Sequence, residues 1–411
     1  MPSEIFGNPA FTRFWTARSA SGFAYHMTAV AVGWQVYALT GSAFMLGLVG
    51  LVEFLPQFLL TLVVGQVADR FDRRRIAGAC QLLEALALLV LLAETVGGWL
   101  GLGGMFACVA LIGASRAFET PSLQALLPGL VSAESLPRML AWSGSVWKTA
   151  MILGPAAGGV LYMLGPGVVY GLGALLYVLA SLTVRSIPAT ARVSGPAGGL
   201  WHTALDGLRF IRLRPVIFGA ISLDLFSVLL GGATALLPVY ARDILAVGPG
   251  GLGALRAAPS LGALAMSLYL TRFPLRRRVG RTMFAAVAVF GLATIVFGLS
   301  RSFPLSLAAL AVLGAGDMVS VVIRATLVQI DTPDALRGRV SAVNAVFIGA
   351  SNQLGDFESG LMASLLGAVG AVVVGGLGTL AVVVLWRRFF PELARRDRLV
   401  PERASSQEPA A

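Results

Sequence analysis

Gly65-Gln66-Val67-Ala68-Asp69-Arg70-Phe71-Asp72-Arg73-Arg74-Arg75 lies between two long apolar stretches of a 411-residue chain. It gathers a glycine, two carboxylates and four arginines into a gap too short to be a domain. Roughly two hundred residues later the chain repeats the device, with Arg272 and then Arg276, Arg277 and Arg278 between two more apolar runs. A basic hinge at matching places in both halves of a very hydrophobic chain predicts an all-α membrane protein with an internal repeat.

Composition supports this reading. Hydrophobic residues make up 57% of the chain and charged residues 12%, with a mean hydropathy of +0.82. A soluble chain carries about a quarter of its residues charged, so the apolar stretches here face lipid. A span needs about 20 mostly apolar residues. Windows of that kind predict helices over 12–38, 44–67, 76–97, 103–127, 140–163 and 167–184, then over 215–240, 250–271, 281–299, 304–328, 340–363 and 367–387, twelve in all. Turn chemistry marks the breaks, as at Gly97-Gly98, Gly103-Gly104, Gly165-Pro166-Gly167 and Gly248-Pro249-Gly250-Gly251.

The net charge of +11 would suggest nucleic acid in a soluble protein. Here the arginines fall in alternate loops: 70–75, Arg138, Arg185 to Arg214, 272–281, Arg337 and Arg339, and from Arg387 onward, with Arg242 and Arg301 as exceptions. That is the positive-inside pattern, which for an even number of spans puts both termini in the cytoplasm of a multi-pass inner (plasma) membrane protein. Separated basic loops make no nucleic-acid patch. The N-terminus shows no cleavable signal peptide. Cys80 and Cys108 fall inside predicted spans, so no disulfide framework and no metal site are expected.

The predicted organisation is a six-helix half over 1–184, a cytoplasmic linker over 185–214, a second six-helix half over 215–390 and a cytoplasmic tail over 391–411. In the linker, Leu205, Leu208, Phe210 and Ile211 alternate with Arg209, Arg212 and Arg214, which suits a short amphipathic surface helix or an extension of the seventh span. The halves align at an offset of about 203, pairing Gly50 with Gly253, Pro56 with Pro259 and Arg73–Arg75 with Arg276–Arg278. At about 201 they pair Gly113-Ala114 with Gly314-Ala315, and Gly154 and Gly159 with Gly355 and Gly360. Parallel six-span repeats are a transporter architecture.

At these residues the chain resembles the major facilitator superfamily over essentially its whole length. Gly65 to Arg75 is similar to that family's loop between spans two and three, G-x-x-x-D-R-x-G-R-R, with Asp72 where the pattern has glycine. Gly154-Pro155-Ala156-Ala157-Gly158-Gly159 resembles the core of the antiporter motif, with Ala141 and Ala150 in place of its upstream glycines. Arg116 is similar to the buried arginine of the span-four motif. Asp69-Arg70-Phe71-Asp72, Ala125-Leu126-Leu127-Pro128, Leu236-Leu237-Pro238-Val239-Tyr240-Ala241-Arg242-Asp243, Arg256-Ala257-Ala258-Pro259 and Arg337-Gly338-Arg339-Val340 resemble the siderophore-exporter branch, the transmembrane secretion effectors. The resemblance implies a twelve-span transporter working by alternating access. It also implies a latch from Asp69 to the start of span eleven, near Arg337, Arg339 and Ser341. A carboxylate at a helix N-terminus gains about 0.3–1 kcal/mol from the dipole.

Ionisable side chains at membrane depth are the sharpest signal, because each costs at least about 2.5–3.5 kcal/mol unless paired or wet. The deep ones are Glu53, Arg116, Glu119, Lys148, Asp224, Arg256 and Asp317, with Arg324, Asp356 and Glu358 shallower. Arg116 and Glu119 share a helix face. The repeat sets Asp317 opposite Arg116 and Arg256 opposite Glu53. Such residues either seat helices as neutralising pairs or carry protons. Asp224, Asp317 and then Glu119 are the candidate carriers, with Arg116 and Lys148 placed to modulate them or to attract an anion. Gly65, Asp69, Arg70, Arg73 and Arg74 form the candidate gating loop, in which Arg74 and Arg75 set topology. Gly154, Pro155, Gly158 and Gly159 make either a water-tight hinge or ordinary close packing. His26 reads as a packed, hydrogen-bonded histidine.

No zinc pattern, phosphate loop or serine elbow is present, so neither an enzyme nor a cofactor is expected. The expected function is proton-coupled efflux of small amphipathic molecules such as siderophores, drugs or peptides, by a monomer in the lipid bilayer. The alternatives are an importer or uniporter and, in a different class, a polytopic membrane enzyme or receptor.

Overall fold

The computed structural model describes residues 8–99, 101–132, 134–188, 207–275 and 277–399, and of Thr61, Leu62, Gly65, Gln66, Ala68, Asp69, Arg70, Asp334, Ala335 and Ala342 the backbone only. Among the described residues every regular element is helical. The first six helices are α1 (Pro9–Thr40), α2 (Ala43–Arg70), α3 (Arg73–Gly97), α4 (Gly101–Leu126), α5 (Leu136–Tyr162) and α6 (Pro166–Arg185). Then come α7 (Pro215–Leu230), α8 (Gly248–Arg272), α9 (Val279–Leu299), α10 (Phe303–Asp331), α11 (Asp334–Phe389) and the short α12 (Pro391–Arg395). Eight helices among the described residues are long and apolar enough to cross a membrane. The protein is therefore a multi-pass membrane protein.

Local chemistry sets the ends. Asn8 caps α1, its Oδ1 accepting from the backbone N–H of Ala10 at 3.0 Å. Gly41 closes α1 and Gly98 closes α3 in left-handed conformations at φ 60° and 62°, donating to Tyr37 O and Glu94 O.

One expectation is corrected. The run 215–240 is not one helix: α7 stops at Leu230, Ala233–Leu236 is 3₁₀, Leu237–Val239 a single α-turn and Tyr240–Ile244 π-helical. Gly231-Gly232 causes the break and lets α11 approach, since a Cβ on Gly232 would lie 2.8 Å from Gly355 O. At the other end of the chain, α11 is two helices joined across a kink at Gly367, with φ 74° and ψ 164°, which falls where the sequence divides the last two predicted spans. In the linker, residues 207–212 are helical, with Ile211 buried and Arg209 and Arg212 exposed. The remainder of the expected amphipathic segment lies outside the described residues.

The chain divides into two compact units. The first holds α1 to α6 and, from further along the chain, Leu237–Ala257. The second holds α7 to Leu236 and the described chain from Ala258 on. Within the first, Met27, Leu88, Leu91, Met105, Ile112 and Tyr170 pack α1, α3, α4 and α6 together. Within the second, Leu223, Met283, Val287, Ile323, Leu327 and Leu393 do the same for α7, α9, α10 and α12.

Helix α3 shows why these units belong in lipid. Its leucines at 82, 86 and 89 are exposed, while Gln81 and Glu84 on the opposite face are buried. Apolar outside and polar inside is the reverse of a soluble helix, and is stable only where hydrocarbon is the solvent.

Candidate functional site

The polar face of α3 opens the site. Gln81 and Glu84 stand one turn apart, both 0% exposed. Gln81 donates from Nε2 to Glu119 Oε1 on α4 at 2.9 Å. Glu119 Oε2 lies 4.0 Å from Arg116 Nη1 on the same helix. The Arg116 guanidinium sits 3.5 Å from the centre of the Tyr25 ring on α1 and 5.8 Å from that of Trp147 on α5. Tyr25 in turn donates from Oη to Glu53 Oε1 on α2 at 2.8 Å. Arg18 stacks on the same Trp147 at 5.4 Å. Five helices of one unit thus converge on Arg116, which is held by an aromatic face as much as by a carboxylate. The expected Arg116–Glu119 face is present, and Glu53 meets a phenol.

Close backbone approach makes this convergence possible. A Cβ on Gly113 would fall 2.0 Å from Glu53 O, so α4 presses directly on α2 beside the charged cluster. On α5, Gly154 faces His26, Gly158 faces the Met27 backbone on α1, and Gly159 faces Pro249 O and Gly253 at the start of α8. With Pro155, the motif is therefore a contact strip serving two neighbours at once. His26 packs between Tyr25 and Trp147, with ring centres at 5.0 and 5.3 Å. Its Nε2 is buried without a hydrogen-bond partner among the described residues, so among them the histidine is packed but not hydrogen-bonded through that atom. Arg256 reaches α1 at Gly33, where a Cβ would lie 3.1 Å from its Nη2. Nearby, Tyr37 donates to Asp243 and Arg242 Nη1 donates to Tyr37 O at 3.1 Å.

At the basic hinge, the Asp69 and Arg70 side chains lie outside the described residues, and the expected latch with them. Asp72 is explained. It is the N-cap of α3, accepting from the Arg74 backbone N–H at 3.0 Å and from Arg74 Nε at 3.0 Å. The hydrogen-bonded Arg74 side chain, helped by the backbone N–H, holds the Asp72 carboxyl below the usual carboxylate range, against a smaller opposing effect of burial. Arg74 also donates to Ile187 O beyond α6. Arg73 donates to Ala125 O at 3.0 Å, satisfying a carbonyl in the last turn of α4. These arginines therefore make specific contacts in addition to any part in topology.

The second unit treats its acids differently. Asp224 Oδ2 on α7 lies 2.8 Å from Arg324 Nη1 on α10, both side chains almost fully buried. Arg324 also donates to Asn344 Oδ1 at 3.3 Å. Asp224 and Asp317 line one cavity of about 10 Å³ with Ser227 and Ser320, room for about one water. Asp356 accepts from Thr234 at 3.1 Å, and Glu358 is half-buried. Lys148 is exposed on α5, on a face shared with Gly144, Ser145 and Thr149.

Sequence reading misses Gln81, Glu84 and Arg18. The signal for Glu84 is present, since it is the single charge within the apolar run from Ile76 to Ala93. By the rule applied to Glu53 and Glu119 it qualifies as a deep acid.

The transmembrane secretion effector family matches residues 4–408. The enterobactin exporter EntS of Escherichia coli (strain SMS-3-5 / SECEC) is 28% identical over 420 residues, covering 97% of this chain and 96% of the relative. EntS of Shigella boydii serotype 4 (strain Sb227) matches to the same extent. In fold, the chain is similar to a bacterial homologue of the human lysosomal transporter Spinster, with TM-score 0.73 and 13% identity over 94% of this chain and 96% of that one. It is also similar to a bacterial homologue of the iron transporter ferroportin, with TM-score 0.70 and 17% identity over 94% and 99%. With nearly its full length matched, the chain belongs to the transmembrane secretion effector family of the major facilitator superfamily, whose members are transporters and not enzymes.

Proposed function

We propose that this transporter is a proton-coupled exporter of small amphipathic molecules, siderophores foremost, working by alternating access as a monomer in the inner membrane. The observation that carries the reading is the convergence of Glu53, Glu84, Glu119 and Arg116 inside one unit at span depth. Burying so many ionisable groups is unfavourable, and such groups persist in membranes where they move ions or substrate. The siderophore class is supported by the enterobactin exporters matched along their length. Lys148, with Ser145 and Thr149, offers an exposed polar face suited to an anionic cargo, because lysine is costly against lipid.

Twelve spans follow if α1, α5 and α8, which are long but less apolar, are added to the eight apolar helices and α11 is divided at Gly367. The arginine-rich loops favour cytoplasmic termini.

A second reading, an importer or uniporter, is favoured by Ala141 and Ala150 at the glycine positions of the antiporter motif. Everted membrane vesicles containing the protein separate the two. Proton-coupled export gives uptake of enterobactin on energisation and its loss with a protonophore. Equilibration indifferent to the protonophore favours the uniporter.

A further inference from the structure

Glu84 is the buried charge that the expected scheme leaves unused. It is 0% exposed, and neither carboxylate oxygen closes a well-formed hydrogen bond among the described residues, although the Tyr177 hydroxyl on α6 faces it. An ionised carboxylate so placed is unfavourable by several kcal/mol, whereas the neutral acid is tolerated. Its neighbour Glu119 is differently supplied: it accepts from Gln81 and faces Arg116. Gln81, one turn before Glu84 on α3, has its own Oε1 buried without a donor among the described residues. The cluster therefore holds three buried acceptor atoms with no well-formed hydrogen bond among the described residues, two on Glu84 and one on Gln81, and the hydroxyl turned toward Glu84 is that of Tyr177 on α6.

We infer that Glu84 and Glu119 share one exchangeable proton, resting on Glu84 while Glu119 is the ionised member held by Gln81 and Arg116. Two carboxyls whose surroundings differ in this way separate into an acid and a base. The groups facing Glu84 are Glu119 and Arg116 from α4, Tyr177 from α6 and Glu53 from α2, with Cys80 on its own helix. In the transfer, the Glu84 O–H bond breaks and an O–H bond forms on Glu119. The pair keeps a single negative charge, and Arg116 faces it throughout. Release to water from Glu119 then leaves both acids ionised, until one proton returns. Gln81, which keeps Glu119 in place from one turn away, is a positioning residue.

This inference rests on the proton-coupled reading for its purpose, but it is tested without transport. Infrared difference spectra of the purified full-length protein, titrated from about pH 5 to about pH 10, report protonated carboxylic acids directly. The expected result is a buried-acid C=O band that is lost on alkalinisation and is missing in E84Q. In E119Q the band should disappear at a pH lower by at least about one unit, because a like charge that opposes ionisation of Glu84 has been removed. A band unchanged in E84Q overturns the assignment, and an E119Q titration coincident with the unsubstituted protein overturns the pair. If E84Q does not fold, the E119Q titration decides alone, since it keeps Glu84. Enterobactin flux indifferent to a proton gradient in the unsubstituted protein would instead sink the coupled-export reading and leave the spectroscopic result standing.

Discussion

In the second unit the buried Asp224 carboxylate meets Arg324 at 2.8 Å, and the arginine has Asn344 beside it. In the first unit Glu84 is buried as deeply and closes no ion pair or well-formed hydrogen bond among the described residues, with the Tyr177 hydroxyl facing it, while the nearby arginine is given to the face of Tyr25. The same chemistry has thus been arranged in two ways: a buried acid closed in an ion pair with an arginine on another helix, and a buried acid that faces a second acid and a phenol. The basic hinges differ in a parallel manner. The first is capped locally by Asp72. The second is capped from the far end of the chain: Asp397 Oδ1 accepts from Arg278 N at 3.0 Å, and the carbonyls of Asp397 and Arg396 receive the N–H groups of Val279 and Gly280. A repeated sequence pattern therefore fixes the position of a hinge without fixing the group that satisfies it.

The comparison is broken most easily at the ion pair. Arg324→Ala leaves Asp224 buried and unanswered, and is expected to destabilise the protein by about 3–5 kcal/mol, seen as a large drop in melting temperature in detergent. Next in size are Gly113→Ala and Gly314→Ala. A Cβ at these repeat-matched positions would lie 2.0 Å from Glu53 O and 1.9 Å from Pro259 O, and overpacking of that kind costs about 1–3 kcal/mol. Equal losses in both would confirm that the units share packing while differing in charge. Unequal losses would mean that the repeat is not mechanically alike.

Asp72→Ala removes a helix cap and should cost about 0.5–2 kcal/mol. Because the folded-state carboxyl is held below its ordinary value, its contribution is present above the usual carboxylate range and disappears as pH falls through the folded value. The gap between the two melting curves should therefore close in strong acid. The smallest effect is predicted at Glu84→Gln, within about 0.5 kcal/mol, since the replacement is neutral and isosteric and keeps an acceptor oxygen toward the Tyr177 hydroxyl. A loss as large as that of Arg324→Ala would show that Glu84 is a hidden ion-pair partner and erase the difference between the units.

Much of the fold is legible in the sequence because lipid demands long apolar runs, and the runs are interrupted by glycine pairs and arginines. The legibility fails where a break leaves hydropathy untouched. Gly231-Gly232 changes the backbone without adding polarity, so the fragmented stretch to Ile244 is invisible to a window, whereas the kink at Gly367 falls where the last two predicted spans divide. At the site, Arg116 with Glu119 is legible from helix spacing and the glycine strip of α5 from its motif. Glu84 is legible in principle as a lone acid in an apolar run, but its surroundings, Glu119 and Arg116 on α4 and Tyr177 on α6, come from other helices. Asp72 set against the family pattern is only a departure. Taken as an aspartate immediately before a helix start, it is an N-cap.

The proposed site of proton exchange is Glu84 with Glu119 in the first unit, against the alternative carriers Asp224 and Asp317 in the second. It is tested most directly by a pH-sensitive dye sealed inside proteoliposomes with the purified transporter, recording proton movement when enterobactin is added outside. The account predicts a luminal pH change in the unsubstituted protein, the same change in D224N/R324Q, which removes the closed pair as a unit, and none in E84Q. Proton movement that survives in E84Q and vanishes in D224N/R324Q would contradict it.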